Sequence, residues 1–195
     1  MARTKTIEDA EVLSAAREVF RRDGHAASTR DVARAAKISQ AVLYQRFGSK
    51  DEMFFRAMTP DPLDVDAMLG PYPPDDPLGD LVAIGEKLLS YLQAFMPTLL
   101  KVIAVPGVDG ERLRNWHSQL PFLPLTNAIA ARFRRMSEDG LIGRTDPHAS
   151  AVAFIAAIHS LALFERLTSS HERTHHKANA RELVTVLWQG LAPRT

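Results

Sequence analysis

Two runs of helical periodicity, residues 29–36 and 40–47, are separated only by Lys37-Ile38-Ser39. So short a connection turns the second helix steeply across the first, because the chain cannot continue along one axis. Val32, Ala33, Ala36, Ile38, Leu43 and Phe47 then face inward, with Ala33 small where the two helices touch. Gln40, Ala41, Tyr44, Gln45 and Arg46 belong to the part of the second helix left for other uses. Helices joined in this way present the N-terminal part of the second one to the major groove of a duplex. Ser39 can cap that helix, and its unpaired backbone N–H groups can bind a phosphate.

The flanking sequence fits the same arrangement. A helix is expected from Thr6, with Asp9 in the capping-box position and Val12, Leu13, Ala16, Val19 and Phe20 at three- and four-residue steps. Gly24 ends it, a further cap at Ser28 or Thr29 opens the next helix, and Ser49 caps a fourth that carries Met53, Phe54 and Met58 to Pro60.

Composition narrows the functional classes. With 46% apolar and 24% charged residues in 195, the chain can bury a sizeable core. There is no cysteine, which removes disulfides, thiolate metal sites and a cysteine nucleophile together and suits the cytoplasm. The N-terminus lacks the apolar run of a secretory signal. Residues 151–164 are the most apolar stretch, but a bilayer asks for about 20 residues, so a buried helix is expected and not a membrane span. Net charge is +1, divided as +3 over residues 1–58 and −2 over the remainder, which weakly favours nucleic acid at the front.

Beyond residue 59 the pattern stays helical, with no strand alternation. Six of the twelve prolines fall between Pro60 and Pro77 with several aspartates, so this stretch reads as a solvated connection. Helices are expected over 78–96, burying Leu81, Ile84, Leu88, Leu92 and Phe95, and over a separate shorter piece, 97–105. Another carries Leu125, Ile129, Phe133 and Met136 and ends at Gly140. Asp146 then caps a helix with Pro147 at its first position, and Leu183, Val184, Leu187 and Trp188 belong to the last.

The stretch from about Val12 to Met58, reading AAREVF…G…STRDVA…ISQAVLYQRFGSKDEMF, resembles the DNA-binding domain of the tetracycline-repressor-like (TetR) family. Leu43, Tyr44, Phe47, Lys50 and Asp51 carry the most specific part of the match. The resemblance implies an all-α homodimer: a three-helix DNA-binding domain at 1–59 and a helical ligand-binding and dimerisation domain at 60–195. It implies contacts to double-stranded DNA from Thr29 and Arg30, a groove-facing set of Gln40, Ala41, Gln45 and Arg46, and phosphate contacts from Tyr44 and Lys50. Two departures stand out. Lys37 occupies a turn position where the family usually has glycine, so a left-handed residue is expected there, and the connection from Gly24 to Thr29 is one residue short.

A different chemistry is spelled by residues 171–175, HERTH, which match the H-E-x-x-H of zinc-dependent hydrolases. Arg173 inside the motif opposes a dication, and no third ligand is evident, with His148, Glu165 and Glu182 left open as candidates. The expectation is an exposed turn between the last two helices, with at most adventitious metal binding at His171, His175 and His176. No catalytic residue, metal site or cofactor is expected.

Residues 152–164 are apolar nearly all round, and a twofold-related copy is the simplest cover for the side that one core cannot reach. Phe154, Ile158, Leu161, Leu183, Leu187 and Trp188 are the expected dimer interface. Tyr91, Phe95, Met96, Leu99, Trp116, Phe122, Phe133 and His159 are the candidate lining for a small hydrophobic or aromatic effector. Such a ligand would shift the dimer to a spacing that mismatches a palindromic operator, through the fourth helix as lever, and so release a repressor; the alternative is a regulator without a small-molecule ligand, with Pro60 blunting that lever.

Overall fold

Serine caps, apolar spacing and glycine stops divide the chain into helices. The computed structural model describes residues 7–167 and 176–191, with side chains from 180 onward in the second stretch. Among the described residues there are ten helices and no strand: α1 Asp9–Asp23, α2 Thr29–Ala35, α3 Gln40–Phe47, α4 Lys50–Met58, α5 Val65–Leu69, α6 Pro77–Ile103, α7 Gly110–His117, α8 Phe122–Glu138, α9 Pro147–Leu167 and α10 His176–Leu191. Met1–Asp61 with Pro97–Leu120 make one compact unit, and Pro62–Met96 with Pro121–Thr195 a second. Residues 97–120, expected with the second domain, therefore pack with the first. The tie is local: Arg112 on α7 lies over the Phe55 ring at 4.9 Å and pairs with Asp51 at 3.4 Å and Glu52 at 3.8 Å.

In the first unit α1 packs on α2 and α4, and α3 on α2 and α4. Phe20 and Phe54 are fully buried and meet edge to face at 5.0 Å, each contributing roughly 1.5–3 kcal/mol by leaving water. Arg17 closes the far end of α4, donating Nε to the Ala57 carbonyl at 2.8 Å and Nη2 to that of Thr59 at 2.9 Å. It thereby satisfies carbonyls that a helix end leaves without partners. α1 starts at Asp9, and Glu8, at its N-cap, makes no side-chain cap bond. Thr6, expected as that cap, lies outside the described residues.

In the second unit α8 packs on α9 and α5, and α10 on α9. Leu81, Ile84, Leu88 and Leu92 of α6 join Leu125, Ile129, Phe133, Phe154 and Ile158 in its core. Gly85 is the close-approach point: a Cβ there would lie 2.9 Å from Val184 Cγ2. α6 continues through Pro97 and is not divided there as expected. A proline forfeits one backbone hydrogen bond, and Met96, Thr98 and Val102 are buried around it. The proline-rich connection is also more ordered than its composition suggests, since Asp64 caps the short α5. Arg132, 6% exposed, holds this connection by bonding Asp80 at 2.6 and 2.8 Å and the Pro71 carbonyl at 2.8 Å. Tyr72 lies under Arg135 at 3.9 Å and donates to Asp139 at 2.5 Å. Burial first, and then that hydrogen bond, push its hydroxyl pKa up to about 12.

By length and composition α9 could cross a membrane, although residues 151–164 alone are too few. Its inner face, Ala151, Phe154, Ile158, Ala162 and Glu165, is buried, and Gln93 of α6 donates to Glu165. Val152, Ala153, Ala156, Ser160, Phe164 and Leu167 remain exposed.

Candidate nucleic-acid interface

The reading helix α3 is set by three local devices. Ser28 opens α2, its hydroxyl accepting from the Arg30 N–H at 3.2 Å. α2 then closes in a Schellman turn: the Ile38 N–H reaches the Ala33 carbonyl at 3.0 Å and the Lys37 N–H that of Arg34 at 3.2 Å. That turn needs a left-handed residue, and Lys37 supplies it at φ 56°, the conformation expected for this glycine position. Ser39 restarts the helix, its Oγ accepting from the Val42 N–H at 3.2 Å.

Beneath α3, Leu43 and Phe47 are 1% and 3% exposed, so the helix cannot roll without losing both. Opposite them Ala41, Tyr44 and Gln45 form an exposed face. Its polar atoms are tied to the start of α2. Gln40 Nε2 donates to Thr29 Oγ1 at 2.8 Å, and the Tyr44 hydroxyl lies 3.3 Å from the same oxygen. Three expected DNA contacts are thereby joined in one network, with Arg30 exposed beside it and Lys50 half-buried at the start of α4. Such a surface can donate to base edges and phosphates alike.

Arg46 stands apart from this set. Its Nη1 donates to the Ile7 carbonyl at 2.5 Å and lies 3.4 Å from Asp9 Oδ1. Sequence reasoning also missed the cluster at the start of α4. His25 Nε2 lies 2.7 Å from Asp51 Oδ1, and Arg112 approaches the other oxygen of that carboxylate. A carboxylate only accepts, so the ring nitrogen donates. Residues so far apart along the chain leave no local signal of such a meeting.

The expected effector lining is divided. Tyr91, Phe95, Phe122 and His159 form a run of rings in the second unit, with centroids 6.4, 6.3 and 6.4 Å apart. Met96 is fully buried in that unit, and Phe133 packs edge to face on Phe154. Burial raises the Tyr91 hydroxyl pKa, and that hydroxyl is buried with no hydrogen-bond partner among the described residues. Leu99 and Trp116 belong to the first unit. There Trp116 lines a groove of about 360 Å³ with Glu52, Phe55, Arg56 and Arg112.

The residues expected at a dimer interface differ in exposure within their own chain. Phe154 and Ile158 are 2% and 0% exposed, enclosed by the core of their own chain, and present nothing to a partner. Leu161, Leu183, Leu187 and Trp188 are half-buried. The HERTH segment lies outside the described residues, and no cluster of potential metal ligands occurs among those described.

Residues 12–57 match the family model of the bacterial regulatory proteins, tetR family. By sequence, the chain matches no curated protein. Its fold is similar to that of a protein from Mesorhizobium loti assigned to the TetR family of transcriptional regulators, with TM-score 0.77, 17% identity and coverage of 95% and 96% of the two chains. It is also similar to GusR of Salmonella enterica, with TM-score 0.67, 19% identity and coverage of 92% and 94%. A third similar structure is NalD of Pseudomonas aeruginosa, the secondary repressor of the MexAB-OprM multidrug efflux pump, with TM-score 0.60, 18% identity and coverage of 95% and 97%.

Proposed function

We propose, on the premise that residues 12–57 of this chain are the N-terminal domain of a tetR-family transcriptional regulator, that the protein represses transcription as a homodimer on a palindromic DNA operator. The observation that carries this reading is the face of Ala41, Tyr44 and Gln45, held outward over buried Leu43 and Phe47 and linked through Gln40 to Thr29. Thr29 and Arg30 approach the duplex from the start of α2, Gln40, Ala41 and Gln45 of α3 enter the major groove, and Tyr44 and Lys50 meet phosphates. Residues 1–59 serve DNA binding, and residues 60–195 serve dimerisation and effector binding in the cytoplasm.

The exposed stripe of α9 favours a second copy as its cover, with Leu161, Leu183, Leu187 and Trp188 at the margin. The effector is a small hydrophobic or aromatic molecule that meets the rings of Tyr91, Phe95, Phe122 and His159. The Tyr91 hydroxyl would donate to an oxygen or nitrogen on it. Binding shifts the population toward a dimer whose reading helices no longer match the operator.

The test is a mobility shift with DNA from the region upstream of the protein's own gene, followed by footprinting. The expected result is one protected palindrome whose half-sites are about one helical turn, roughly 34–36 Å, apart. Failure to shift any such fragment even at low salt, where phosphate contacts are strongest, refutes the reading.

A further inference from the structure

Arg46 lies in the last turn of α3, where the family pattern assigns a groove contact, yet its Nη1 is turned to the start of α1. At 3.6 residues per turn it is about 100° round the helix from Gln45 and about 140° from Ala41. Its side chain is 24% exposed, with Nη1 on the Ile7 carbonyl at 2.5 Å and 3.4 Å from Asp9 Oδ1. Arg56 converges on the same carboxylate at 3.8 Å and lies over the Phe47 ring at 4.9 Å. Glu8 makes no cap bond for α1. The first turn of α1 is thus held against the end of α3 by Arg46, with Asp9 as the shared anion.

We infer that Arg46 is a positioning residue, which fixes the start of α1 to the reading helix and makes no contact with DNA. The inference rests on the proposed DNA-binding function and departs from the family pattern at this position. A phosphate that recruited Nη1 would take it from the Ile7 carbonyl and leave Asp9 to Arg56 alone. In its observed place it steadies the flank of α3, while Gln40, Ala41 and Gln45 do the reading.

The experiment uses the full chain and a palindromic duplex selected by the wild-type protein from a random pool. Binding constants are measured across a salt series for Arg46→Gln, Asp9→Asn and, as a phosphate-contact control, Lys50→Gln. A lost phosphate contact flattens the slope of log affinity against log salt by about 0.9, hence by about 1.8 per dimer. Lys50→Gln should show that flattening. Arg46→Gln should bind more weakly at every salt concentration with the wild-type slope, by about tenfold or more for each of the two half-sites.

Asp9→Asn gives the sharper sign. If Arg46 positions, removing its anion weakens binding; if Arg46 is a phosphate contact, the guanidinium freed from its competing anion tightens binding. Hydrogen exchange without DNA reads the same contact directly. Exchange at the Val12 and Leu13 amides should quicken in Arg46→Gln, while α8 and α9 keep their wild-type protection. A flattened slope in Arg46→Gln, tighter binding by Asp9→Asn, or unchanged exchange at Val12 overturns the inference. If the wild-type chain selects no duplex, the DNA-binding reading falls, and the exchange arm still decides what Arg46 holds.

Discussion

Replacing Lys37 by glycine should make the protein more stable, although the substitution removes a side chain and adds none. Lys37 stands at φ 56° in the turn between α2 and α3, the one positive-φ residue other than glycine among the described residues. The left-handed conformation costs a side-chain-bearing residue about 1–2 kcal/mol. Glycine removes that cost but loses more freedom on folding, by about 0.4–1 kcal/mol. At mid-range the difference is a net gain of about 0.8 kcal/mol, with both Schellman hydrogen bonds, Ile38 to Ala33 and Lys37 to Arg34, left in place. The chain has two tryptophans. A Trp188→Phe background leaves Trp116 as the sole reporter, and it lies in the same compact unit as Lys37. Urea unfolding followed by Trp116 fluorescence, at one fixed protein concentration, should show a higher midpoint at unchanged slope. Lys37→Val provides the opposite arm, because a β-branched residue tolerates positive φ worst, and should fall below wild type by about 1 kcal/mol or more. A glycine variant no more stable than wild type, or a valine variant equal to it, would refute the assignment of strain to this turn.

Asp80→Asn should destabilise the second unit by about 3–5 kcal/mol, because it leaves the Arg132 side chain, 5% exposed, without its anion. The double replacement Asp80→Leu, Arg132→Met should recover most of that loss in the same urea titration. Tyr72, whose folded pKa is raised to about 12, should lend stability that is complete below about pH 10 and declines as pH rises toward 12. Tyr72→Phe should lack that decline when the two proteins are unfolded side by side at pH 9 to 12. Ala156→Glu places a charge on the exposed stripe of α9 and should reduce the sedimentation mass from two chains to one, while helical content measured by circular dichroism stays unchanged.

What the sequence disclosed, and what it did not, divides by the range of the interaction responsible. The left-handed Lys37 was implied by the family resemblance, whereas the bounds of α3, the caps at Ser39 and Ser49 and the buried pair Leu43 and Phe47 all depend on neighbours within a turn or two. Each was therefore legible from spacing and residue type. Arg46 was not, because its partners Ile7 and Asp9 lie 39 and 37 residues away. On spacing alone its long side chain suited a groove as well as a fold. Pro97 misled in the opposite sense: a local rule predicted a break, and burial of Met96, Thr98 and Val102 around it outweighed one missing hydrogen bond.

α9 marks where the reading of pattern reaches its limit. A helix apolar nearly all round carries no stripe from which to tell its inner face, so Phe154 and Ile158 were as eligible for a partner as Val152 and Ala156. The structure separates them: 154, 158, 162 and 165 share the inner face at steps of three and four, and 152, 156, 160, 164 and 167 share the outer. That outer stripe includes Phe164 at 65% and Leu167 at 66% exposure, alongside the smaller Ala156 and Ser160. Large side chains beside small ones suit a facing helix that interlocks with them, and a second copy of α9 across a twofold axis would offer the same pattern in reverse. The near-uniform hydrophobicity that hid the inner face would then follow from the helix having two apolar neighbours, its own core and its partner's.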